Sequence, residues 1–224
     1  MSAQANVQAS PQASPQASPQ ASPQARTRRA ERSGAARAAM LDTAIGLLAT
    51  RGYSGMKLAD VSRGSGYSYG LAPFHFESKA GLLRAIQEEI DASYTDHMAA
   101  ACDPDIPGRE FVDRWVTATF AFAKGHPAHW RASVVILVES VLGVPDVAVE
   151  HSRFASRNIE TLRTAFERGR RDGSIPASVD PPAAAATVAA LMKGINFEWF
   201  GDPTVDLDAS CRLVLDVVRQ VLRP

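Results

Sequence analysis

Residues 57–76 read KLADVSRGSGYSYGLAPFHF, two short apolar-faced segments around a glycine break. Leu58 and Val61 lie three apart, on one face of a short helix. Gly64-Ser65-Gly66 ends that helix, because paired glycines favour a turn over continuation. Ser68 offers a hydroxyl to cap a following helix, and Ala72 and Phe76, four apart, face back toward Leu58 and Val61. A helix, a short glycine-containing turn and a second helix are the parts of a helix-turn-helix, whose second helix enters the DNA major groove.

Working outward, Gly52-Tyr53 closes the preceding helix and Asp60-Val61 sits in the second. Gly66-x-Ser68-x-Gly70 follows at the turn, then His75-Phe76-x-Ser78-Lys79 and Leu82. In that order the segment Gly52–Leu83 resembles the DNA-binding module of the TetR/AcrR repressors. The resemblance implies an all-α protein of about nine helices. A three-helix DNA-binding domain over 34–95 would precede a larger ligand-binding and dimerisation bundle over 96–224. It also places Lys57, Ser68, Tyr69, Gly70, Leu71, Phe74, His75 and Lys79 at the DNA. Several of these depart from the family pattern. Leu71 stands for a frequent Thr, Phe74 for a polar residue, Lys57 for a Thr near phosphate, and Tyr69 for a basic or polar residue. Pro73 replaces a frequent aromatic. With Ser68 as cap, Pro73 would be the fifth helical residue, where its ring clashes with the preceding turn. Either the helix starts later, near Gly70, or it is distorted.

The chain of 224 residues has a formal charge of zero, which hides an asymmetry. Residues 26–76 carry eight Arg/Lys against three Asp/Glu, net +5, leaving −5 for the remainder. A local basic segment on a neutral chain suits a local anionic partner. Arg26, Arg28, Arg29 and Arg32 form a basic arm over 26–33, suited to phosphates or the minor groove. Before it, residues 9–24 repeat Ala-Ser-Pro-Gln four times. Proline at every fourth position excludes regular structure, so residues 1–25 read as a disordered tail. Cys102 and Cys211 stand alone, in no disulfide framework, and fit a reducing cytoplasm. No run of eighteen apolar residues suggests a membrane helix, and no signal-peptide pattern opens the chain.

Beyond the module, breakers separate expected helices at 78–94, 110–124, 128–142, 146–171, 183–200 and 206–222. The first helix is expected over 33–51, with Leu41, Ile45 and Leu48 on its core face. No catalytic pattern appears: HExxH, GxSxG, P-loop and CxxC are all missing, and of His97, His126, His129 and His151, the pair His126 and His129 straddles Pro127 with no acidic partner at helical spacing. We therefore expect no enzyme activity, cofactor or metal site. The family resemblance implies that helices over 110–171 enclose a cavity for a small, largely apolar effector. Trp115, Phe122, Trp130, Leu137, Phe154 and Phe166 are the candidates to line it, with His126, His129, Glu139 and Asn158 as possible polar anchors. The last two helices resemble the family's dimerisation pair, with Ala190, Gly194, Phe197, Cys211, Leu215 and Val218 at a self-interface. The expected function is a homodimeric, sequence-specific repressor released from a palindromic operator on double-stranded DNA by that effector. A ligand-independent DNA-binding or docking protein with a filled second domain is the main alternative. A helical enzyme with an appended DNA-binding module is a further one.

Overall fold

Proline and glycine punctuate the chain into helices α1 (Pro23–Gly55), α2 (Leu58–Gly64), α3 (Leu71–Phe76), α4 (Lys79–Ala101), α5 (Gly108–Gly125), α6 (Pro127–Val141), α7 (Pro145–Asp172), α8 (Pro181–Gly201) and α9 (Leu207–Val221). The computed structural model describes residues 23–143 and 145–221, without the side chains of Pro23, Ala25, Arg26, Arg29, residues 145–154 and Val221. Among the described residues there are nine helices and no strand, as the all-α reading requires. None of these helices is long and apolar enough to cross a membrane. Most of the Ala-Ser-Pro-Gln repeat lies outside the described residues.

Two ends differ from expectation for local reasons. Helix α1 begins at Pro23 rather than near Ser33, so the basic segment 26–33 is helical. Residues 25–32, ARTRRAER, are mostly strong helix formers, and proline is well suited to a first helical position. Near its other end α1 is interrupted at Gly52, whose φ of 68° and ψ of 176° lie in a region open essentially to glycine alone. Helix α4 runs on to Ala101, through the expected domain boundary at residue 95. Ser78 caps it as expected, its hydroxyl accepting from the Gly81 N–H at 3.0 Å.

Residues 36–224 form one compact unit and residues 1–35 another. Within 36–224 two apolar cores are built. The first joins Met40, Ile45 and Leu48 of α1 to Val61 of α2, Ala72 and Phe76 of α3, and Leu82, Leu83 and Ile86 of α4. Ala132 and Ile136 of α6 complete it. The second joins Tyr94 and Met98 of α4 to Val112, Trp115 and Phe122 of α5, Leu162 and Phe166 of α7, Met192 of α8 and Val214 of α9. Each such large side chain contributes about 1.5–3 kcal/mol on leaving water. The start of α5 has no side-chain cap of its own. Its first N–H groups are met from the end of α7: Gly108 donates to Asp172 Oδ2 at 2.8 Å and Arg109 to Ser174 Oγ at 3.2 Å. The backbones of α5 and α7 touch there, since a methyl group on Gly108 would come within 2.2 Å of the Gly169 nitrogen.

Candidate nucleic-acid interface and interior cavity

Ser62 holds the α2–α3 turn together. Its buried hydroxyl donates to the Tyr69 carbonyl at 3.1 Å and accepts from the Ala72 N–H at 3.1 Å. Gly66 takes the left-handed conformation, φ 79°, that the turn requires, and the Tyr67 N–H closes onto the Ser62 carbonyl at 3.1 Å. Ser68 does not cap α3, contrary to the simplest reading of the motif. The helix starts at Leu71, and the N-cap position is Gly70, with no side-chain bond. This later start accommodates Pro73. It becomes the third helical residue, where its missing N–H is one the helix leaves unpaired anyway.

Starting late turns α3 so that Ala72 and Phe76 are buried while Phe74 is 77% exposed and Tyr69, just before it, 72% exposed. Ser68 and Gly70 are exposed with them, and Leu71 and His75 are half-buried. Lys57 is exposed at the N-cap position of α2. The basic residues divide by their partners. Arg51 and Arg63 both pair with Asp60, at 3.5 and 3.3 Å. The Lys79 ammonium donates to the Ser54 carbonyl at 3.3 Å and lies 4.3 Å from the centre of the Tyr53 ring. Lys57 makes no ion pair among the described residues. The eight expected DNA-facing positions thus gather around the α2 start, the turn, α3 and the α4 start.

Between α4, α5, α6, α7 and α8 lies a cavity of about 90 Å³, room for several water molecules. Of the six expected lining residues, Trp115, Phe122, Trp130 and Leu137 are on its wall. Phe166 is not; it is buried in the second core. The side chain of Phe154 lies outside the described residues. Helices the sequence reading did not enlist supply the rest: Ile90 and Tyr94 from α4, and Met192, Lys193, Asn196 and Phe197 from α8. Of the suggested anchors, Asn158 reaches the wall. His129 lines a separate hollow with Asp42 and Glu89, and Glu139 accepts from the Tyr53 N–H at 3.3 Å. His126 stacks on Phe122, ring centres 4.7 Å apart. Burial pushes the Tyr94 phenol far above its ordinary range, so it stays protonated. Its hydroxyl lies 2.9 Å from Thr119 Oγ1, whose own proton reaches the Trp115 carbonyl at 3.0 Å.

On α8 and α9 the outward apolar residues are Leu191, Phe197, Leu213 and Val217. Ala190 and Gly194 are exposed beside them. Cys211 and Val218 are not outward: both are buried in the second core, and Leu215 packs against it. The helical stripe of α9 had two apolar edges, and the larger one faces inward. Burial pushes the Cys211 and Cys102 thiols above their usual range, and both are free. No cluster of His, Cys, Asp and Glu among the described residues suits a metal.

The family model described as bacterial regulatory proteins, tetR family, matches residues 40–86. The one described as BetI-type transcriptional repressor, C-terminal, matches residues 107–223. The HTH-type transcriptional regulator CymR of Pseudomonas putida is 35% identical over 75 residues, 34% of this chain and 37% of that protein. The chain therefore matches little more than a third of that curated relative's length. Among solved structures, a TetR transcriptional regulator from Chloroflexus aurantiacus superposes with a TM-score of 0.77 at 20% identity, over 86% of this chain and 98% of that one. A transcriptional regulator from Saccharomonospora viridis in complex with choline gives 0.73 at 22% identity, over 83% and 96%. The regulator FadR from Bacillus subtilis in complex with stearoyl-CoA gives 0.72 at 16% identity, over 84% and 100%. At these identities the structural likenesses show the fold alone.

Proposed function

This chain belongs to the tetR family of bacterial regulatory proteins, and from that premise we propose a homodimeric repressor that leaves a palindromic operator when a small, largely apolar molecule fills the cavity between α4 and α8. One observation carries the reading: α6 belongs to both halves of the device. Trp130, Val134 and Leu137 are on the cavity wall, while Ala132 and Ile136 are buried in the DNA-binding core and Glu139 holds the Tyr53 N–H. A molecule that displaces α6 must therefore disturb the scaffold of α3. Helix α4 does the same from the other side, with Ile90 and Tyr94 on the wall and Leu82 and Ile86 in the DNA-binding core.

Two copies would present two α3 helices to half-sites about one helical turn, ~34–36 Å, apart or somewhat more. Release follows only if the effector binds the DNA-incompetent arrangement more tightly, since a ligand shifts an equilibrium by its differential affinity alone. Fluorescence anisotropy with a duplex selected by the protein from a random library tests this. Apolar compounds that raise the thermal midpoint should lower DNA affinity; stabilisers that leave DNA affinity unchanged would refute effector control.

A further inference from the structure

Two polar atoms of the cavity wall are buried with no partner: Asn196 Oδ1 and Trp130 Nε1. Asn196 is 1% exposed, and its Nδ2 donates to the Met192 carbonyl at 2.8 Å, which leaves the oxygen as the free atom. Buried polar groups are normally paired, and an unpaired one in a native fold asks for an explanation. The other wall hydroxyls do not supply it. The Thr119 proton goes to the Trp115 carbonyl, and Tyr94 is engaged with Thr119. Ser133 donates back to the Trp130 carbonyl at 2.8 Å.

The buried unpaired set is one acceptor on α8 and one donor on α6; the wall's other polar side chains are Tyr94, Thr119, Ser133, Asn158 and Lys193, and the rest of it is apolar or aromatic. No carboxylate lines the cavity among the described residues, and its one charged side chain, Lys193, is solvent-exposed. Resting on the regulatory reading above, we propose that the effector is a neutral, single-ring-sized apolar molecule bearing one hydroxyl, which accepts from Trp130 Nε1–H and donates to Asn196 Oδ1. A hydroxyl supplies both roles on one oxygen. An ether or ketone accepts but cannot donate, so it leaves Asn196 unpaired. A carboxylate places its charge against the Asn196 oxygen. A hydrocarbon fills the space and satisfies neither atom. Binding would tie α6 to α8 through the ligand, with α6 the helix that also enters the DNA-binding core.

The test uses the full chain, calorimetric titration and four probes: 4-ethylphenol, 4-ethylanisole, ethylbenzene and 4-ethylbenzoate. The phenol should bind about tenfold more tightly than the ether, the hydrocarbon and the benzoate, the equivalent of about 1.4 kcal/mol. Asn196→Leu should erase the phenol's advantage while ethylbenzene affinity stays within about threefold of the parent, close to what similar shape predicts. Trp130→Phe should reduce the same advantage and serves as the second variant should Asn196→Leu fail to fold. Equal binding of phenol and ether, tightest binding of the benzoate, or a preference that survives both substitutions would overturn the proposal. So would the failure of all four probes to bind at millimolar concentration. DNA anisotropy in parallel separates the two readings. Release by these probes without hydroxyl preference sinks the proposal and leaves effector control standing, whereas hydroxyl-selective binding without release does the reverse.

Discussion

Replacing Ser62 by alanine removes the acceptor for the Ala72 N–H and the donor to the Tyr69 carbonyl, both at a buried turn. The expected cost is about 1–3 kcal/mol, read as a lower urea midpoint with unchanged slope. Nothing in the sequence marked this serine, because its role exists only once the turn brings Tyr69 over it. The positions proposed to face DNA, by contrast, were named from the motif, which sets their register around α2, the turn and α3. Two of them should separate by chemistry. Lys57→Met should weaken binding to all duplexes and lower the salt slope by about 0.9, the signature of one lost phosphate contact. Phe74→Ala should change sequence preference with the slope unaltered, because an exposed apolar ring reads base edges or sugar rather than charge. His129 sets a pH dependence. Burial first, then its neighbour His126, disfavours the charged ring and lowers its pKa, with Glu89 and Asp42 opposing in part. The folded value lies below the unfolded one of about 6.5, so this stabilisation is full above that pH and is lost as pH falls through the folded value. Unfolding measured at pH 7.5 and 5.5 should show a smaller difference in His129→Asn than in the parent.

Elements were readable where breakers are strong. Gly125, Pro127, Gly173, Pro176 and Pro181 mark helix ends near those observed, because proline and glycine act locally. The ends missed were those without a local breaker: α1 continues back through a run of helix formers, and α4 continues past residue 95. The start of α3 was left between two alternatives, and Pro73 selects the later one by its ring. Packing between elements was less legible, as with the crossing of α5 and α7. Gly108→Ala should cost about 1–3 kcal/mol in stability, since the new methyl meets backbone that cannot move away. Gly125→Ala, where a methyl would meet nothing within 4 Å, should leave the thermal midpoint nearly unchanged.

For the whole molecule, we expect sedimentation at about 48 kDa, twice the 24.0 kDa of one chain. Leu213→Glu with Val217→Glu should return it to the monomer mass without unfolding it, because these side chains are 65% and 45% exposed in the single chain. The sequence could not place the cavity's closing wall, since the apolar stripe of α8 serves two faces: Met192 and Asn196 turn inward while Leu191 turns outward. Composition reports that such a helix is apolar all round, and only its neighbours decide which side lines a hollow. The sharing of α6 between the two cores also bears on engineering. A hybrid regulator made by splicing residues 34–95 onto a foreign effector half would lose Ala132 and Ile136, the plugs of its own DNA-reading core. We expect grafts cut at the linker-like stretch 102–109 to aggregate when expressed, because the DNA-reading core they carry lacks its α6 side chains.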